Sequence, residues 1–240
     1  MRSQLPPGSS TEGVDGSWRH LYFAGSIAAL LYVVLVLVPV VLVFVAPVPP
    51  TEGRAVLEYV AVHKALYLAE LVCFVGLAVP ALVVFGALTA ALWPIDKSIA
   101  VLGGLFGIAS EVIALALGSS PQSLHGGLVV LSNEYVQAAT ETRRAELVSA
   151  ADALIAATNA VSWAGILTAT GILVLSLLMR RGGFGTVVAG LGLVTGALGI
   201  GSEALRPLIG PAYLFYGLLL PTWFALVGRK LLRLARRDVA

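Results

Sequence analysis

The chain has 240 residues, of which 58% are hydrophobic and 12% charged, with a formal net charge of +2 and a mean hydropathy of +0.94. Soluble domains hold about 45–50% apolar residues, so this chain belongs in a bilayer, and its few scattered basic residues exclude nucleic acid as a partner. Its apolar runs of about twenty residues or more are unbroken, the length a helix needs to span, which excludes the alternating ten-residue pattern of an outer-membrane barrel. The expected fold class is all-α, a polytopic membrane helix bundle.

Residues 1–20 are rich in Gly, Ser and Pro and are expected to form a mobile cytoplasmic tail. A transmembrane domain over 21–234 follows. Its first helix covers 21–45, with Pro39 as a kink, and stops at Pro47, Pro49 and Pro50. The second, 57–92, is too long for a hydrocarbon core of about 30 Å at about 1.5 Å per residue. It is read as an amphipathic entry carrying Glu58, His63 and Lys64, then a spanning part kinked at Pro80. The single cysteine, Cys73, falls in that run with no partner, so it reads as a core residue and not as part of a disulfide or metal set.

The third helix, 99–117, carries Glu111 and ends at the stop signal Gly118-Ser119-Ser120-Pro121. Residues 122–146 are read as an extracytoplasmic amphipathic helix on the membrane surface. Its apolar face holds Leu128, Leu131, Tyr135 and Ala138, and Glu134, Glu141, Arg143, Arg144 and Glu146 face water. A fourth helix over 147–179 has Asn159 near its start and Arg180-Arg181 after its end. A fifth, 186–205, is studded with glycine and carries Glu203. Beyond Arg206-Pro207 and Gly210-Pro211 comes a sixth, 212–232, and then a basic tail, 235–240.

With the amino terminus cytoplasmic, Arg2, Arg19, Lys97, Arg180, Arg181, Arg229, Lys230, Arg233, Arg236 and Arg237 lie inside. Only Arg54, Lys64, Arg143, Arg144 and Arg206 lie outside. Basic residues favour the cytoplasmic side, so both termini are expected there. The last basic stretch then meets anionic headgroups.

Two stretches stand out, Gly107-Ile108-Ala109-Ser110-Glu111 and Gly199-Ile200-Gly201-Ser202-Glu203. Each sets a carboxylate in an apolar helix, where insertion costs roughly 2.5–3.5 kcal/mol. In the six-helix topology both run from inside to outside, and each follows a long descending helix and a basic turn. That pattern suggests a duplicated helical hairpin related by an axis along the membrane normal; the competing explanation is coincidence within a Gly/Ala-rich composition. The glycines themselves read as close helix packing. No strand precedes them, so a phosphate-binding loop is excluded.

Counted inward from the outer face, His63, Asn159, Glu203 and Arg206 fall in the outer quarter, with Glu70 and Glu111 deeper. Together they would line one outward-facing pocket. His63, Tyr67 and Glu70 are spaced i, i+4, i+7 and share a helix face, as in a proton relay. Glu203 and Arg206 are i, i+3 neighbours able to neutralise each other. The plainer alternative is that these groups only tie helices together.

The six-helix layout, the polar segment after the third helix, the Arg-Arg turn before a Gly-rich helix, and the closing Pro221-Thr222-Trp223-Phe224-Ala225-Leu226-Val227-Gly228-Arg229 resemble a known bacterial family. It is a family of six-helix integral membrane proteins catalogued as a domain of unknown function. The resemblance implies a bacterial inner-membrane protein and brings no activity or ligand with it.

The leading expectation is binding or transport of a proton, a cation or a small amine. The alternative is a noncatalytic sensor, assembly factor or accessory subunit that docks a membrane partner or a second copy. An enzyme is disfavoured, because neither His-Glu-x-x-His nor Gly-x-Ser-x-Gly occurs and three histidines make a poor zinc set. No cofactor is expected.

Overall fold

The computed structural model describes residues 16–42, 44, 47–118, 124–160, 162–209 and 212–236; the regular structure among them is helical, with no strand. Most of the amino-terminal tail, the last four residues of the basic tail, Ser119-Ser120-Pro121 and Gly210-Pro211 lie outside the described residues. Five stretches are long and apolar enough to cross a membrane: Arg19–Leu42, Gly53–Leu92, Lys97–Leu117, Glu141–Met179 and Thr186–Ala204. Helices of this length and composition mark a membrane-embedded protein.

Two of those stretches are each divided. The first consists of α2 (Gly53–Gly76) and α3 (Ala78–Leu92). Their joint is Leu77, one turn before the expected kink at Pro80. Proline has no N–H for the carbonyl four residues back, here that of Gly76, and its ring crowds that carbonyl. The helix therefore resets upstream and leaves Pro80 in the first turn of α3. A second irregularity, φ −114° and ψ 33°, falls at His63.

The stretch read as one helix over 147–179 is likewise α6 (Glu141–Asn159) and α7 (Trp163–Met179). Ser162 starts the new helix by accepting a hydrogen bond from the Gly165 amide at 3.0 Å.

These breaks separate two bodies of packing. The polar segment after the third helix does not form a single surface helix. Instead α5 (Gly126–Gln137) and α6 pair with each other and with α2. They enclose a core of their own that includes Val56, Leu57, Val60, Leu128, Leu147 and Ile155. Ser132 ties it internally, donating to the Leu57 carbonyl at 2.7 Å, and Asp152 accepts the Gly53 amide at 2.6 Å. This head carries its charges outward, with Arg143 between Glu134 and Glu146 and Arg144 on Glu141.

The remaining long helices close a ring in the order α1 (Arg19–Leu42), α3, α4 (Lys97–Leu117), α7, α8 (Thr186–Ala204), α10 (Tyr213–Arg236) and back to α1. Contacts run antiparallel between neighbours: Phe85 and Thr89 of α3 meet Gly107 and Gly104 of α4, and Gly192 and Gly199 of α8 meet Trp223 and Tyr216 of α10. Helices α4 and α8 therefore point the same way. Leu30, Leu37, Leu105, Val194 and Leu218 are exposed on the outside of the ring, a surface suited to lipid. Inside, small residues let backbones touch. A Cβ on Gly171 would lie 2.8 Å from the Gly107 amide nitrogen and 2.9 Å from the Gly103 carbonyl oxygen, which is why α4 and α7 accept only glycine there.

Across the middle of the ring lies an aromatic layer. Tyr32 stacks on Phe224 at 3.8 Å, and Phe85 and Trp223 meet Phe224 edge-on at 6.2 and 5.3 Å.

Candidate functional site

On the head side of that layer the ring encloses a cavity of about 420 Å3. Every helix of the ring except α3 contributes to it: Tyr32 from α1, Glu111 from α4, Trp163 and Thr168 from α7, Glu203 from α8, and Tyr213 and Tyr216 from α10, with Leu77 from the joint before α3. Arg206, the first residue of the four-residue α9 (Arg206–Ile209), completes the wall. Because Tyr32 both lines the cavity and stacks in the aromatic layer, the layer forms its floor.

The carboxylates of the two Ser-Glu stretches thus reach one space, from alternate positions of the ring. Their surroundings differ. Glu111 is 5% exposed and meets hydroxyls: those of Thr168 and Ser110 lie 3.3 and 3.4 Å from Oε1, each with one proton that it also offers elsewhere, Thr168 to Ser110 and Ser110 to the Gly107 carbonyl. Thr168 also bonds Ser110 at 2.9 Å, so α7 and α4 are joined at this level. No ion pair reaches Glu111 among the described residues.

Glu203, 2% exposed, takes the Tyr213 hydroxyl on Oε1 at 2.6 Å. Its other oxygen, Oε2, faces Nη2 of Arg206 across 3.8 Å, too far for a hydrogen bond, and neither atom has any other partner among the described residues. Arg206 is held by Nη1, which donates to the Thr158 carbonyl at the end of α6 at 3.3 Å, and by the Tyr213 ring 5.2 Å from its guanidinium carbon. The Glu203 carboxyl lies against Gly165, where any side chain would occupy its place.

Compared with protein-family models, curated proteins and solved structures, the chain matches none. The chemistry of the site follows from its geometry.

Of the residues singled out in the sequence, Glu111, Glu203 and Arg206 are brought together. His63, Tyr67, Glu70 and Asn159 do not line the cavity. His63 sits at the irregular turn of α2, half-buried, with its ring 4.9 Å from that of Tyr59. The Tyr67 hydroxyl is engaged by the backbone of His125, donating to its carbonyl at 3.2 Å and accepting from its amide at 2.9 Å. Tyr67 therefore fastens the start of α5 to α2. Glu70 is buried on α2, and Asn159 ends α6 beside the lining residue Thr158.

The sequence reading missed Thr168, Tyr213, Tyr216, Tyr32 and Trp163. Hydroxyl and aromatic residues are common in membrane helices, and only Tyr213, the first residue of α10, carried a positional signal. In all, the cavity offers two carboxylates and one guanidinium in a largely aromatic and aliphatic wall. Such a site can hold a small polar group by charge-assisted hydrogen bonds and shelter its apolar body.

Proposed function

We propose that this is a multi-pass protein of the bacterial inner membrane that binds a small amine-bearing solute in an outward-facing pocket, for carriage or for sensing, and without catalysis. The observation that carries the reading is the convergence of Glu111 and Glu203 on one cavity. Its volume of about 420 Å3 falls within the roughly 300–1,000 Å3 of organic-ligand pockets. A bare proton needs no such space. Among the described residues no three His, Cys, Asp or Glu side chains gather as a metal set. Aromatic rings around a carboxylate suit an ammonium group.

In this reading α10 is the sixth span. It lies antiparallel on α1, with Gly228 against Ala29, and its apolar part ends at Gly228-Arg229-Lys230, where a cytoplasmic headgroup layer would begin. Both termini are cytoplasmic and the head is extracytoplasmic. The duplicated hairpin is extended by the two broken helices. Each of α2–α3 and α6–α7 gives a polar half to the head and an apolar half to the ring, then turns into the helix that bears Ser-Glu. The noncatalytic docking alternative draws on an open apolar groove on the head, lined by Gly127, Val130, Leu131, Ala150, Ala153 and Leu154, which a membrane partner or a second copy would cover.

The test is thermal unfolding of the purified protein in detergent against a panel of primary amines, alkali cations and pH values, beside the double variant Glu111→Gln, Glu203→Gln. A bound amine at hundredfold excess over its Kd raises stability by about 2.7 kcal/mol. A rise with amines that disappears in the variant supports the pocket. Identical responses in both proteins reject it in favour of the docking reading.

A further inference from the structure

We infer that the solute is a zwitterion, its ammonium group held by Glu111 and Glu203 and its oxyanion by Arg206. This rests on the proposed reading of the cavity as a solute site and specifies what that site selects.

Two buried atoms have no hydrogen-bond partner among the described residues. Oε2 of Glu203 and Nη2 of Arg206 are charged, enclosed and 3.8 Å apart, on side chains 3% and 10% exposed. Buried groups of this kind are nearly always satisfied in a folded protein, because leaving them so is costly. Each partner is otherwise anchored: Glu203 by Tyr213, Arg206 by the Thr158 carbonyl and the Tyr213 ring. Both are thus fixed in place, each with one polar atom unspent at the cavity wall. The second carboxylate, Glu111, holds only hydroxyl donors.

Simple ligands leave part of this unsatisfied. An amine completes Glu203 and Glu111 but takes Glu203 from Arg206, whose Nη2 then has nothing. A carboxylic acid completes Arg206 and faces two carboxylates. A ligand with both charges divides the loose Glu203–Arg206 pair and gives each side a closer partner, with charge-assisted bonds at both ends. The rest of the wall, including Val36, Phe74, Ile113, Leu117 and Leu220, is apolar and suits an aliphatic or aromatic body. An α-amino acid with an apolar side chain has this form.

The experiment uses the full chain in detergent and two matched triplets. L-leucine, 3-methylbutylamine and 4-methylpentanoate share one body and carry both charges, the ammonium alone or the carboxylate alone. L-phenylalanine, phenethylamine and 3-phenylpropanoate do the same on an aromatic body. Calorimetric titration should give a Kd for at least one zwitterion about tenfold or more below both of its analogues. In Arg206→Gln the zwitterion should then bind no more tightly than its amine does to the same variant. Because the parent protein alone supplies the comparison, the inference does not depend on the variant folding. Amines that bind as tightly as the zwitterions overturn the inference and leave the solute site standing. Failure of all six compounds to bind overturns both.

Discussion

The head and the ring are built on opposite rules. In the head, large side chains such as Leu57, Tyr67, Leu128 and Leu147 fill the inside and charges cover the outside. In the ring the outside is Leu, Val and Phe, and the helices meet through glycine, alanine and serine, with Tyr32, Phe85, Trp223 and Phe224 gathered in one layer. Water drives the head together by burying apolar bulk. Lipid offers no such drive, so the ring depends on close backbone contact and on a few polar ties. The cavity occupies the junction of the two, where buried charge is tolerable because hydroxyls and a guanidinium are at hand.

The contrast is tested most severely at Gly171. A side chain there meets backbone atoms of α4, which cannot rotate aside. Gly171→Ala should cost about 1–3 kcal/mol, the range for an overpacked core, and Gly171→Leu should leave no folded, monodisperse protein in size-exclusion chromatography. Gly190 on α8 faces open space, and Gly190→Ala should fold normally. If Gly171→Leu is well behaved, the ring is not held by backbone contact.

A smaller effect separates two buried serines. Ser132 in the head donates to the Leu57 carbonyl, whereas Ser176 in the ring has no hydrogen-bond partner among the described residues. Ser132→Ala should lower stability by about 1 kcal/mol, the net value of one hydrogen bond. Ser176→Ala should leave it unchanged or raise it. Thermal unfolding of the two variants side by side decides this, and equal losses would show that Ser176 finds a partner in the ring.

Much of this architecture was legible in the chain, because spans of lipid-soluble residues are long and local. The breaks were less so. The interruption before α7 is written only in Ser162, which looks like any polar residue in a long apolar run until the cap to Gly165 is seen. Pro80 announced a kink, but its clash acts on the preceding turn, so the joint falls at Leu77. At the site, the repeated Ser-Glu marked both carboxylates and i, i+3 spacing marked Arg206. His63, Tyr67 and Glu70 stand away from this cavity, on a helix that is irregular at His63 and where Tyr67 is engaged by the backbone of His125. Thr168 and Tyr213 act only through contacts between helices, which periodicity does not encode.

The least effect is expected where the head shows most charge. Arg143 bonds Glu134 at 2.7 Å and Glu146 at 3.0 Å, yet its side chain is 52% exposed. Ion pairs in water gain little, because solvent already stabilises each charge and ordering two long side chains opposes the attraction. The hydrogen bonds it donates to Glu146 and then to Glu134 hold the guanidinium above its ordinary pKa. A raised base contributes stability that is complete below its unfolded pKa and lost only above its folded one, so whatever the cluster contributes is constant through neutral pH. Arg143→Gln should therefore leave the unfolding temperature within experimental error, at neutral and mildly alkaline pH alike and from low to high salt. A clear loss would mean that this face is not in water but covered by a membrane surface or a partner, and the head would then have to be described by the rules of the ring.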